Sequence, residues 1–207
     1  MSQIALPLAR GGAASPARIV LGEGNAHVAE ALAAPDGWPF RTAVLTGPPR
    51  SGKSLFARWF AESGPRNVRG EAIDDAQAMD EAALFHRWNR AQEQGTALLI
   101  VGGEPPWEIA LPDLRSRLAA ALQLEIGLPD DAMVEELLFT LAEQRGLPLG
   151  AEAAAYLVPR AGRAVADIEK LVATIDRLSL ERKVPPTQSI WRAALEAVHG
   201  PEEPRLL

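Results

Sequence analysis

Between residues 42 and 62 a short apolar run, "TAVLT", breaks into "GPPRSGKS" and then "SLFARWFAE", whose apolar positions recur with helical period. Glycine, four residues, glycine, lysine and a hydroxyl residue is the spacing of a loop that wraps phosphate. Gly47, Pro48, Pro49, Arg50, Ser51 and Gly52 form that loop, its glycines letting backbone N–H groups close around phosphate oxygens. Lys53 balances the charge of the outer phosphates, Ser54 offers its hydroxyl to Mg²⁺, and the following helix turns its positive end toward the same point. Lysine occurs only as Lys53, Lys170 and Lys183, so a chance fit to the pattern is remote. A strand that ends at such a loop and a helix that begins there commit the chain to a parallel α/β arrangement.

Other segments agree. "RIVLGEGNAHVAEALAA" reads as a turn at residues 22–24 and a helix from Ala26, with Val28, Ala29 and Leu32 on its apolar face. A short strand is expected over 71–73, an amphipathic helix over "DEAALFHRWNRAQEQG", and a fully buried strand over "TALLIVGG". "LPDLRSRLAAAL" then reads as a helix and "QLEIGLP" as a last strand before Pro129. Beyond Asp130 the pattern is helical only, in four segments parted by Gly and Pro. The expected organisation is an N-terminal segment over 1–17, an α/β core over 18–128 and a small helical domain over 129–207.

Composition removes several classes of function. The 207 residues are 47% hydrophobic, enough for a substantial core. With no cysteine, and with His27, His86 and His199 scattered, disulfides and thiolate metal sites are excluded and no side-chain metal cluster is expected. A formal charge of −6 argues against a broad phosphate-neutralising surface for nucleic acid. No apolar run reaches the roughly 20 residues a membrane helix needs, and no leader pattern opens the chain, so a cytoplasmic protein is expected.

Two further motifs bear on chemistry. "AIDDAQ" places Asp74 and Asp75 at the end of an expected strand, where a phosphate-loop ATPase keeps one acid for Mg²⁺ and a second to orient the attacking water. The same residues read equally well as an Asp-rich helix cap. "LPDLRSRL" puts Arg115 and Arg117 near the start of a helix, which by itself reads as a solvated basic face.

With a helical domain behind it, this phosphate-loop core resembles the AAA+ ATPases, and the DnaA branch in particular. "GEGN" resembles the opening signature of that family, which implies that Gly22 and Asn25 sit beside the adenine of a bound ADP or ATP. "EPPWEIALPDLRSRL" resembles the segment carrying the family's arginine finger, which would be Arg117, acting in trans. "QIALPL" resembles a sliding-clamp-binding hexapeptide, implying Gln3 in a glutamine pocket and Leu6, Pro7 and Leu8 against an adjoining apolar one. A DnaA-like module that opens with such a motif and ends after its helical domain, without the initiator's DNA-binding domain, resembles the Hda type, the factors of regulatory inactivation of DnaA.

The resemblance implies a nucleotide-binding regulator of replication initiation with two partners, the DNA polymerase sliding clamp and the DnaA initiator, and neither sequence-specific DNA binding nor a membrane; homodimer formation stays open. Departures are visible. Lys53 and Asp74 stand too close for a complete extra strand and helix, so the parallel sheet is expected to fall one strand short of the usual core. Gly102 and Gly103 occupy the positions of a polar sensor, and Ala166 that of a second sensor arginine, for which Arg163 one turn earlier is the substitute. Such a site should hold nucleotide with Mg²⁺ on Ser54 and Asp74, and hydrolyse it weakly at most. The alternatives are a self-sufficient AAA+ ATPase such as a helicase loader, or a clamp adaptor with a vestigial nucleotide site.

Overall fold

The computed structural model describes residues 19–63 and 70–200. The hexapeptide with Gln3, Leu6, Pro7 and Leu8 lies outside them. The chain divides into two compact units, parting between Gly127 and Leu128.

The first unit is a four-stranded parallel sheet, β1 (Thr42–Thr46), β2 (Gly70–Ile73), β3 (Ala97–Val101) and β4 (Leu122–Glu125), in the spatial order β2-β3-β1-β4. The central pair is registered Val44 to Ile100, and Leu45 faces Leu124 on the other side. Every residue of "ALLIV" in β3 is buried, because helices cover both faces. On one face Ala43, Leu45 and Leu99 pack with Val28 and Leu32 of α1 (Ala26–Ala33) and Phe56 and Phe60 of α2 (Lys53–Ser63). On the other, Val44, Leu98 and Ile100 pack with Leu84 and Trp88 of α3 (Glu81–Glu93) and Leu114 and Leu118 of α4 (Pro112–Ala119). Alternating side chains of the same strands thus feed two cores, and β1 carries the phosphate loop from between them.

Helix α3 starts at Asp80, whose carboxylate accepts from the Ala83 N–H at 2.9 Å. The next residue, Glu81, accepts from the N–H groups of Ala110 and Leu111 at 2.9 and 2.6 Å, fastening the long connection after β3 to the head of α3. Asp80 thus caps α3, while Asp75 stands at the N-cap position of the 3₁₀ turn over Ala76–Ala78 without a side-chain cap bond to it.

Among the described residues the second unit holds four α-helices, α5 (Asp131–Gln144), α6 (Ala151–Leu157), α7 (Val165–Arg182) and α8 (Gln188–His199), with a 3₁₀ turn over Val158–Arg160. Ile168, Leu171, Val172 and Ile175 make the inward stripe of α7, meeting Val134 and Leu138 of α5, Leu157 of α6, and Ile190 and Ala194 of α8. Asp130 caps α5 through the Met133 N–H at 2.8 Å. Among the described residues no helix is long and apolar enough to cross a membrane.

Candidate functional site

Past Thr46 the backbone leaves the sheet through Gly47, at φ +148°. A Cβ at Gly47 would stand 2.9 Å from the Ile126 carbonyl oxygen, so the close approach of β4's end excludes any side chain there. Two prolines stiffen the next step, Arg50 takes the left-handed region at φ +62° and Gly52 follows at +94°, bending the loop into a concavity at the head of α2. Lys53 Nζ donates to the Gly47 carbonyl at 2.8 Å and the Pro48 carbonyl at 2.7 Å. Its pKa is lowered by burial, an effect opposed by the negative charges of Asp74 and Glu104. Ser51 Oγ is buried and has no hydrogen-bond partner among the described residues.

The loop opens onto a cavity of about 410 Å³. Pro49, Lys53, Ser54, Asp74 and Asp75 line it together, so five residues singled out in the sequence converge here from β1's loop and β2's end. Asp74 Oδ1 accepts from the Asp75 N–H at 3.0 Å, and Asp75 adopts φ +53°, turning the chain into a 3₁₀ turn over Ala76–Ala78. Gln77, which the sequence reading passed over inside "IDDAQ", donates Nε2 to Asp75 Oδ1 at 2.6 Å and lines the same wall. Glu104, also passed over, faces Lys53 from the far side with Gly102 and Gly103.

These groups suit a polyphosphate with a hard cation. Backbone N–H groups at the start of an 11-residue helix and the Lys53 ammonium attract the anion, and the buried, unpartnered Ser51 hydroxyl offers a further donor. The Ser54 hydroxyl and the Asp74 carboxylate are oxygen donors of the kind Mg²⁺ takes, and both face the cavity. Three carboxylates against one lysine would repel phosphate without a cation between them.

Gly22 and Asn25 lie elsewhere in the first unit, in the turn before α1. Asn25 is 2% exposed; its Oδ1 accepts from the Gly22 N–H at 3.0 Å and its Nδ2 donates to the Val20 carbonyl at 2.8 Å. The Gly127 N–H donates to Gly24 at 2.8 Å and His27 pairs with the Glu125 carbonyl at 3.0 Å, so the turn is fastened to the end of β4, beside the residue that crowds Gly47.

Arg115 is exposed, as a solvated face requires, but Arg117 is not on such a face. Its guanidinium lies 4.4 Å from the ring centroid of Trp88 and 5.1 Å from that of Phe85. It also lines a cavity with His86, Asn89 and Glu93 that shares no residue with the one around Lys53. Arg163, in the second unit, pairs with Asp131.

No family model matches the chain. An uncharacterised protein of Haemophilus influenzae is 28% identical over 117 residues, covering 53% of this chain and 51% of its own, so the chain spans about half the length of that curated relative. Among solved structures, domain III of the replication initiation protein DnaA from Thermotoga maritima superposes with a TM-score of 0.69 at 14% identity, covering 88% of this chain and 95% of that one. AMPPCP-bound DnaA from Aquifex aeolicus gives 0.59 at 18% identity, over 80% and 66%. At such identities the likeness is one of fold, and the fold is that of AAA+ domains, an α/β core followed by a helical part.

Proposed function

We propose that this chain is a nucleotide-binding regulator of replication initiation that docks on the polymerase sliding clamp and promotes ATP hydrolysis by the DnaA initiator through Arg117. The observation that carries this reading is the placement of Arg117. Its guanidinium is held on an aromatic face, in a cavity separate from the chain's own phosphate loop, so its charge serves another molecule's nucleotide better than its own. Placed on the charge that develops at a transferring phosphoryl group, an arginine of this kind accelerates hydrolysis by about 10³ or more.

The chain's own site then has a supporting role. The loop residues 47–54 hold ADP or ATP, with Lys53 exchanging the Gly47 and Pro48 carbonyls for phosphate oxygens and with Ser54 and Asp74 as the Mg²⁺ donors. Gly22 and Asn25 shape the wall beside the base. Gln3, Leu6, Pro7 and Leu8 form the clamp tether. Neither Gly102 nor Gly103 carries a side chain to polarise a water, which keeps the chain's own turnover slow.

The test is hydrolysis by ATP-loaded DnaA in the presence of DNA-loaded clamp. Arg117→Ala should abolish stimulation while clamp binding persists, and Leu6→Ala with Leu8→Ala should abolish clamp binding. Stimulation that survives Arg117→Ala would rule out the assigned finger. A second reading, a self-sufficient ATPase such as a helicase loader, is favoured by the convergence of Lys53, Asp74 and Asp75 on one cavity. It requires multiple turnovers without partners, lost in Lys53→Ala.

A further inference from the structure

We infer that Gln77 orients the attacking water when the chain hydrolyses its own ATP, in the place of the missing sensor side chain; this rests on reading the cavity around Lys53 as a nucleotide site. Two glycines end β3, and the structure treats them differently. A Cβ on Gly102 would stand 2.8 Å from Trp107 Cε3, so the indole already fills that space and no sensor can grow from it. The nearest neighbours of a Cβ on Gly103 would instead be atoms of Gln77, 3.5 Å away at Cδ and 3.6 Å at Nε2. The carboxamide of Gln77 therefore rests on bare backbone at the point where a polar side chain from β3 would otherwise enter the cavity.

Gln77 is also held there. Ala76, 1% exposed, roots the 3₁₀ turn in the core beneath α3, so Asp75 and Gln77 on either side of it both reach the cavity. The Nε2–H to Asp75 Oδ1 bond fixes the amide's donor end, leaving Oε1 as its free acceptor among the described residues. A water between Lys53 and this pair meets one amide oxygen and one carboxylate, the two acceptors needed to aim its lone pair at phosphorus. Glu104, which has no donor, cannot stabilise a transferring phosphoryl group from its side of the cavity.

In the step itself the water oxygen bonds to the γ-phosphorus as the bond from that phosphorus to the bridging oxygen breaks. The bond's electron pair stays on the β-phosphate of ADP, and the water's proton passes to the Asp75 carboxylate and then to solvent. ATP and water give ADP, phosphate and one proton. Gln77 Oε1 contributes aim and takes no proton.

The experiment uses the full chain with Mg²⁺ and a fluorescent ADP, with and without aluminium fluoride as mimic of the transferring group, beside single-turnover ATP hydrolysis. In the native chain aluminium fluoride should slow ADP release at least about tenfold, and Gln77→Ala should lose that slowing and about tenfold in hydrolysis. ADP alone should bind both proteins alike, and since Gln77 is exposed its truncation leaves the core intact. Equal slowing in both proteins, or ADP binding by the native chain with neither slowing nor hydrolysis, overturns the role of Gln77 and leaves the nucleotide site standing. No ADP binding by the native chain overturns the nucleotide reading itself.

Discussion

The guanidinium of Arg117 stacks on the indole of Trp88 at 4.4 Å, joining the last turn of α4 to the buried face of α3. Trp88 is 5% exposed, so its ring is fixed before the arginine arrives and restricts a side chain that would otherwise sample many rotamers. A cation over a partly desolvated ring is worth about 0.5–2 kcal/mol. Trp88→Leu should therefore weaken stimulation of the partner's hydrolysis roughly two- to thirtyfold, and cost about 2–4 kcal/mol of stability from the lost core volume. Phe85→Leu, which removes the more distant ring, should do less of both. Denaturant titration and the stimulation assay, run on the same preparations, separate the two effects.

Asn25 supports a prediction that concerns stability first. Its amide satisfies the Gly22 N–H and the Val20 carbonyl inside the fold. Asn25→Ala takes this partner from the buried Val20 carbonyl and the half-buried Gly22 N–H, at a cost of about 1–3 kcal/mol in urea unfolding. Asn25→Asp keeps the acceptor, loses the donor and buries a charge, so it should be the worse of the two at neutral pH and recover toward the native stability when acid neutralises it, because the protonated carboxyl again accepts and donates.

Attempts to restore a polar sensor should divide sharply. Gly102→Asn forces the Trp107 ring out of the α3–α4 core and should lower stability by about 1–3 kcal/mol. At Gly103 the nearest neighbours of an added Cβ are Gln77 atoms at ordinary contact distance, so Gly103→Asn should leave the thermal midpoint nearly unchanged.

Lys53 carries a pH signature. Burial lowers its pKa in the folded protein below the ordinary 10.5, so in the window between the two values the unfolded chain binds more protons. Stability gains from this group as pH rises through that window; below it the cost of burying the ammonium is present in full. Lys53→Met removes the titration. As pH rises toward 10.5 the native chain's stability should therefore rise relative to the variant's, and flat parallel profiles would contradict the lowered pKa.

The fold was legible where burial repeats with the backbone's own period. Residues 97–101 had to be a doubly covered strand, and the loop spacing before Lys53 placed a helix at once. Gln77 was not legible, because its position depends on a left-handed Asp75 and a single 3₁₀ turn, neither of which has a periodic signature. The stacking of Arg117 escaped for a different reason: Trp88 is 29 positions earlier, and nothing local in "LPDLRSRL" says which aromatic α4 will meet. Asp74 and Asp75 read as cap or acid alike in the sequence, because nothing local in "AIDDAQ" says that Asp80 is the residue that caps α3.

The carboxylate of Glu81 gives the long connection between β3 and α4 a second anchor. Its upstream end is already bonded into the sheet, Gly102 N–H to the Leu45 carbonyl at 2.9 Å, and Glu81 holds its downstream end at Ala110 and Leu111. The amide protons of Ala110 and Leu111, both bonded to Glu81, therefore exchange with solvent only when the head of α3 releases them. The entry to α4 is thus tied to the first turn of α3, and the helix carrying Arg117 takes its starting point from there.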